Sequence, residues 1–80
     1  SNEPGPEEQG VSRERAEKVR QAVMALPPAS RAVLVLREYE GLAYAEIART
    51  LDIPIGTVMS RLNYARSQLR QALAPYMESL

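Results

Sequence analysis

The sequence predicts an all-α fold, in the form of a small domain of four helices. Apolar residues recur at helical spacing along most of the chain, and no segment shows the alternation typical of a strand. Prolines and glycines divide the periodic stretches into four, which gives the number of helices. Eighty residues make one domain at most.

The first helix is predicted from Ser12, a suitable N-cap, to about Leu26. Its apolar stripe consists of Ala16, Val19, Val23 and Leu26. The ten residues at the start of the chain hold two prolines, two glycines and three glutamates, a composition that cannot bury a core. We therefore predict a disordered acidic linker over residues 1–11 and a folded domain over residues 12–80.

The second helix is predicted from Pro28 to about Glu40, since proline suits the first turn of a helix. Its run AVLVL, residues 32–36, is apolar on every side, which predicts the central helix of the core. Gly41 stands where a left-handed cap would end this helix. Two further residues are assigned to the core, Met24 and Tyr39.

The third and fourth helices are joined by a turn of three residues, DIP at 52–54. Asp52 tolerates a left-handed backbone better than most residues. The third helix is predicted over about residues 44–51, and Ala48 is small enough to let the next helix cross closely. This short helix, turn and second helix predict a helix-turn-helix.

The fourth helix is predicted from Pro54 or Ile55 to about Ala74, just before Pro75. Its apolar stripe continues for five turns, through Ile55, Val58, Leu62, Ala65, Leu69 and Leu73. The segment begins with Pro, Gly, Thr and Ser, which usually break helices, but the stripe favours a helix.

Composition excludes several classes of function. The chain has no cysteine and no histidine, which excludes disulfides, thiolate nucleophiles, the usual zinc sites and imidazole acid–base catalysis. It shows no nucleophile–base arrangement and no glycine-rich phosphate loop. No stretch approaches the ~20 apolar residues of a membrane span. We therefore expect that the chain is not an enzyme, binds no cofactor or metal and has no membrane partner. We expect a cytoplasmic location.

The zero net charge hides an asymmetric distribution. Residues 1–10 carry three acidic residues and no base, whereas residues 11–80 hold ten basic and seven acidic residues. From Pro54 to Pro75 the chain has three arginines and no acidic residue. The fourth helix is therefore predicted to be basic.

The face of the fourth helix opposite its apolar stripe is unusual for a solvated surface. Its members are small or uncharged: Gly56, Thr57, Ser60, Asn63, Tyr64 and Ser67. Arg61 lies on one flank of this face, and Met59 and Arg66 lie on the other. A helix in a DNA major groove needs small residues for close approach, polar side chains for base edges and arginines for phosphates. The pattern favours DNA binding, with a helical hairpin that binds protein as the alternative.

Other polar residues allow two interpretations each. Tyr44 could donate its hydroxyl to a phosphate or pack under the second helix. For Arg37 and Glu46 we expect an ion pair between helices, with contacts on the groove side as the alternative. Arg31 could touch a phosphate or simply face solvent.

Residues 26–70 closely resemble region 4 of sigma factors of the extracytoplasmic-function group. The matching pieces are LP at 26–27, LREYEGLAYAEIA at 36–48, IPIGTVMSRL at 53–62 and AR at 65–66. LuxR-type regulators share the EIA…TV skeleton but usually lack the other pieces. The resemblance implies a domain that recognises the −35 promoter element on double-stranded DNA and docks on the RNA polymerase β flap. It also implies that an anti-sigma factor could mask the domain.

The resemblance also implies which residues contact DNA, one matching position at a time. Thr57, Ser60 and Arg61 match the start of the family's recognition helix, and Arg66 matches its later arginine. Asn63 stands at a position used for base contact. Met59 and Tyr64 stand where many members have a basic residue. The expected DNA-binding set is Tyr44, Thr57, Met59, Ser60, Arg61, Asn63, Tyr64 and Arg66, and the flap is expected in an apolar groove among the first three helices.

Overall fold

The computed structural model describes residues 6–78, and the side chains of residues 13–77. Within residues 6–78 the chain forms four helices and no strand, so the all-α prediction is confirmed. The helices are α1 (Pro6–Met24), α2 (Pro28–Glu38), α3 (Tyr44–Leu51) and α4 (Ile55–Glu78). None of them has the length and hydrophobicity that crossing a bilayer would need, in the part of the chain that is described.

The core forms where α4 packs against the other three helices. Each of the four helices contributes to this core, and so does the turn after α1. Its buried apolar residues are Val23, Leu26, Val33, Leu34, Ile47, Val58, Leu62 and Ala65. The apolar run of α2 was predicted to make that helix central. Val33 and Leu34 are indeed buried, but α4 is the helix that contacts α1, α2 and α3 alike.

Two left-handed residues shape the connections. Gly41 has φ +71° after the end of α2, as its predicted capping role requires. Asp52 has φ 55° and its N–H donates to the carbonyls of Ala48 and Arg49, which ends α3. The N–H of Ile53 also returns to the Ala48 carbonyl, at 3.0 Å. The three-residue turn therefore sets the angle between α3 and α4.

Two predicted helix ends are wrong. α1 begins at Pro6, so the chain is already helical when it reaches Ser12. Proline at the first helical position explains this start, because its missing N–H is not needed there. α4 continues through Pro75 to Glu78. The division into a linker over 1–11 and a domain over 12–80 stays a prediction, and residues 1–5 and 79–80 lie outside the described range.

Several residues assigned to the core are exposed instead. Met24 is 56% exposed, Tyr39 63% and Ile55 49%. Each lies at or just beyond a helix end, where the stripe runs past the neighbouring helices. Ala16 is also exposed, one turn before the half-buried Val19, where α1 meets the core.

Candidate nucleic-acid interface

α4 has two faces of opposite character. Val58, Leu62 and Ala65 are at most 1% exposed and hold the helix against the core. On the opposite side, Gly56, Ser60, Asn63 and Tyr64 are exposed, and Thr57 and Ser67 are half-buried. We call this second side, formed by these six residues, the outer face of α4.

The outer face is open at its N-terminal end. A Cβ atom built on Gly56 would meet no atom within 4 Å, so no other part of the described chain covers this position. The Ser60 hydroxyl donates to the Thr57 carbonyl of its own helix at 3.1 Å. This bond leaves the hydroxyl oxygen free to accept a hydrogen bond from outside. A large ligand can therefore come close to the first turns of α4 without meeting another part of the described chain.

One arginine at the edge of the outer face is already engaged within the domain. Arg66 Nη2 donates to Glu38 Oε1 of α2 at 2.7 Å. The hydrogen bond that Arg66 donates to Glu38 raises the pKa of the Arg66 guanidinium above its usual value, and Tyr44 contributes in the same direction. This pair could not be predicted from the sequence, because its partners are 28 positions apart and belong to different helices.

Tyr44, at the start of α3, lies against Arg37 of α2. The Arg37 guanidinium carbon is 4.9 Å from the centroid of the Tyr44 ring. Tyr44 is half-buried and packs against the core, which favours the packing interpretation of this residue.

The predicted ion pair between Arg37 and Glu46 is wrong. Arg37 Nη1 donates to the Leu42 carbonyl at 2.9 Å, which holds the connection between α2 and α3. Glu46 Oε1 accepts the N–H of Ala43 at 2.8 Å, so it caps its own helix. Ala43 has no hydroxyl that could accept an N–H of the first turn, so this half of the usual capping arrangement is missing.

Arg31 is half-buried and makes a hydrogen bond between two helices. A phosphate contact for this residue stays a prediction. Its Nη1 donates to the Met24 carbonyl at 2.9 Å and so ties α2 to the end of α1. A carbonyl at the end of a helix lacks its own partner, which makes it a good acceptor for this bond.

The predicted site residues thus occupy three places, which are the outer face of α4, its two flanks and the start of α3. Ser60, Asn63 and Tyr64 are exposed on the outer face, and Thr57 is half-buried beside them. Met59, 47% exposed, occupies the same flank of α4 as Arg66. Arg61 is half-buried on the other flank, and Tyr44 lies at the start of α3, half-buried against the core.

An apolar cleft lies away from this face, between α1 and the end of α4. Its volume is about 350 Å³, and its lining residues are Arg15, Lys18, Val19, Leu73, Tyr76 and Met77. Lys18 Nζ is 4.8 Å from the centroid of the Tyr76 ring, which closes one side. This cleft is formed by α1 and α4, and the flap groove expected among the first three helices stays a prediction.

The part of the chain that forms the helix-turn-helix and its outer face matches a known protein family. The family model described as Sigma-70, region 4, matches residues 16–69. The chain belongs to this region 4 family. The match covers α2, α3, the turn and the outer face of α4. Region 4 is a helix-turn-helix domain, in agreement with α3, the turn and α4.

Curated relatives agree with the family. The ECF RNA polymerase sigma factor SigE of Mycolicibacterium smegmatis is 40% identical over 76 residues, which cover 95% of this chain and 30% of that protein. The RNA polymerase sigma-H factor of Pseudomonas aeruginosa is 44% identical over 59 residues, 74% of this chain and 31% of that protein. The ECF RNA polymerase sigma-E factor of Escherichia coli is 39% identical over 70 residues, 88% and 37% respectively. This region 4 domain therefore spans roughly a third of the length of these relatives.

Proposed function

We propose that this region 4 domain binds the −35 element of a promoter by inserting α4 into the major groove of duplex DNA. The observation that carries the proposal is the outer face of α4, which is open, uncharged in its centre and flanked by Arg61 and Arg66. An ordinary solvated helix carries lysine and glutamate on such a face. Helix α3 and the turn at Asp52 lead directly into α4, in the order that a helix-turn-helix requires.

The proposed roles follow from side-chain chemistry. Ser60 and Asn63 face base edges, and the Asn63 amide can pair with adenine through two hydrogen bonds. Met59 offers an apolar contact for a thymine methyl group. Thr57 and Tyr64 lie beside bases or sugars. Arg61, Arg66 and the hydroxyl of Tyr44 are assigned to the phosphate backbone.

We also propose protein partners for the domain. As part of a sigma factor it would dock on RNA polymerase at the β flap and direct transcription initiation in the bacterial cytoplasm, and an anti-sigma factor could mask it. The apolar cleft between α1 and α4 is available for a protein contact, because it lies apart from the outer face. A domain that binds only protein is the second candidate function.

Selection of bound duplexes from a random DNA pool at low salt tests the DNA-binding proposal. We expect enrichment of one short motif, and we expect Ser60→Glu to abolish it, because the new carboxylate would face phosphates and bases. Ser60 is exposed and its hydroxyl bonds only within α4, so this variant should keep its fold, as circular dichroism can verify.

The control for charge is Ala16→Glu, which adds the same carboxylate at an exposed position of α1, outside the helix-turn-helix. This variant should enrich the same motif as the unmodified chain. Equal enrichment by Ser60→Glu would show that α4 is not in the groove. Failure of every variant to enrich a motif would favour the domain that binds only protein.

A further inference from the structure

A link between α2 and α4 connects the proposed DNA contact to a residue outside the helix-turn-helix. Glu38 is in the last turn of α2, and its Oε1 accepts a hydrogen bond from Arg66 Nη2 at 2.7 Å. The side chains are 47% and 38% exposed, so the pair lies at the surface beside the outer face of α4. We infer that Glu38 is a positioning residue, which holds the Arg66 guanidinium ready for a DNA phosphate; this inference rests on the proposed function.

The donor geometry of arginine permits both contacts at once. A guanidinium carries five N–H donors in a planar fork, and the bond to Glu38 involves only Nη2. The acceptor belongs to α2, a helix other than the one that carries Arg66, so this bond restricts where the guanidinium can move. The remaining N–H groups can meet a phosphate oxygen while Nη2 stays on Glu38.

Holding the guanidinium in advance should strengthen binding to DNA. A long arginine side chain loses rotamer freedom when it engages a phosphate, and this loss weakens the complex. The bond to Glu38 removes part of that freedom before DNA arrives. The carboxylate itself acts in the opposite direction, because its negative charge repels nearby phosphates. The hydrogen bond and the charge of Glu38 therefore have to be separated by experiment.

Two neutral variants achieve this separation. Glu38→Gln and Glu38→Ala remove the same charge, but the glutamine oxygen can still accept the hydrogen bond from Arg66. We expect Glu38→Gln to bind the selected duplex about threefold to tenfold more tightly than Glu38→Ala, measured by fluorescence anisotropy on the full 80-residue chain. Glu40→Ala is the control, since it removes the same charge from an exposed position two residues away. It should lose no affinity.

Combination with Arg66→Ala distinguishes positioning from a general structural defect. If Glu38 acts through Arg66, Glu38→Gln and Glu38→Ala should bind DNA equally when Arg66 is absent. A defect in the fold would persist in that background, and circular dichroism at the assay temperature would detect it. Equal binding of the two Glu38 variants with Arg66 present, or a difference that survives without Arg66, would overturn the inference.

The unmodified chain separates this inference from the proposed function. If it binds no duplex above background, the proposed function fails and the inference fails with it. If it binds the selected duplex but the two Glu38 variants bind equally, the domain reads DNA and only the role of Glu38 is wrong.

Discussion

Neighbouring residues of α4 have opposite environments, which gives a test of the core at single-residue resolution. Val58 is 0% exposed, whereas Met59 is 47% exposed. Val58→Asp would bury an unpaired carboxylate, at a cost of several kcal/mol, comparable to the whole stability of so small a domain. We expect loss of the cooperative thermal transition followed by circular dichroism. Met59→Asp adds the same charge one position later and should melt cooperatively. A cooperative melt of Val58→Asp at the unmodified temperature would show that the core is assigned wrongly.

Two glycines should respond to alanine with opposite signs. Gly41 has φ +71°, where a side chain strains the backbone, so Gly41→Ala should destabilise the domain by about 1 kcal/mol. Gly56 lies inside α4, where a Cβ would meet nothing within 4 Å. Gly56→Ala should therefore stabilise the domain by roughly 0.5–1 kcal/mol. Urea unfolding of both variants measures this difference, and a shift of the same sign in both would contradict the backbone assignment.

The outer face could be predicted from the sequence because it depends only on helical spacing. The spacing that buries Val58, Leu62 and Ala65 necessarily turns Ser60 and Asn63 to the opposite side. The link from Arg66 to Glu38 could not be predicted in this way. It depends on how α2 crosses α4, and no local pattern encodes a contact between residues 28 positions apart.

At the level of helices, local sequence preferences predicted helix ends correctly where the chain must turn, and wrongly where a helix continues. The bounds of α3 and the left-handed Asp52 agree with the sequence prediction. Ser12 and Pro75 are good boundary residues by local preference, yet both lie within helices. Continuation past Pro75 coincides with packing of Tyr76 against Lys18 of α1, and such a tertiary contact can outweigh a local preference.

The end of α4 offers a direct test of that explanation. Pro75 lacks the N–H that would bond to the carbonyl of residue 71, and its ring crowds that carbonyl. Pro75→Ala should therefore raise helicity and stabilise the domain, by less than the ~3 kcal/mol seen in helix interiors because the helix end is near. Thermal melts at 222 nm measure the gain.

The matched control for this variant is Ala74→Gly, one residue earlier in the same turn. It should lower stability by up to about 1 kcal/mol if that turn is helical. No change in either variant would show that the chain beyond residue 74 does not contribute to the folded domain in solution.

For the whole molecule, the distribution of charge matters more than the net charge of zero. α4 carries Arg61, Arg66 and Arg70 and no acidic residue before Pro75, so the basic charge lies along the helix proposed to enter the groove. Arg66 already has a carboxylate partner, which reduces its net contribution. Two or three phosphate contacts are therefore the expected electrostatic footprint.

The dependence of DNA affinity on salt measures this footprint. Each phosphate contact contributes about −0.9 to the slope of log K against log salt, so we expect a slope of roughly −2 to −3 for the selected duplex. Arg61→Gln should reduce the magnitude of the slope by about 1, because one arginine no longer displaces counterions. Arg13→Gln makes the same change of charge at an exposed position of α1 and should leave the slope as it was. If the two variants give the same slope, Arg61 does not contact the backbone, and the flank of α4 that carries it faces away from the DNA.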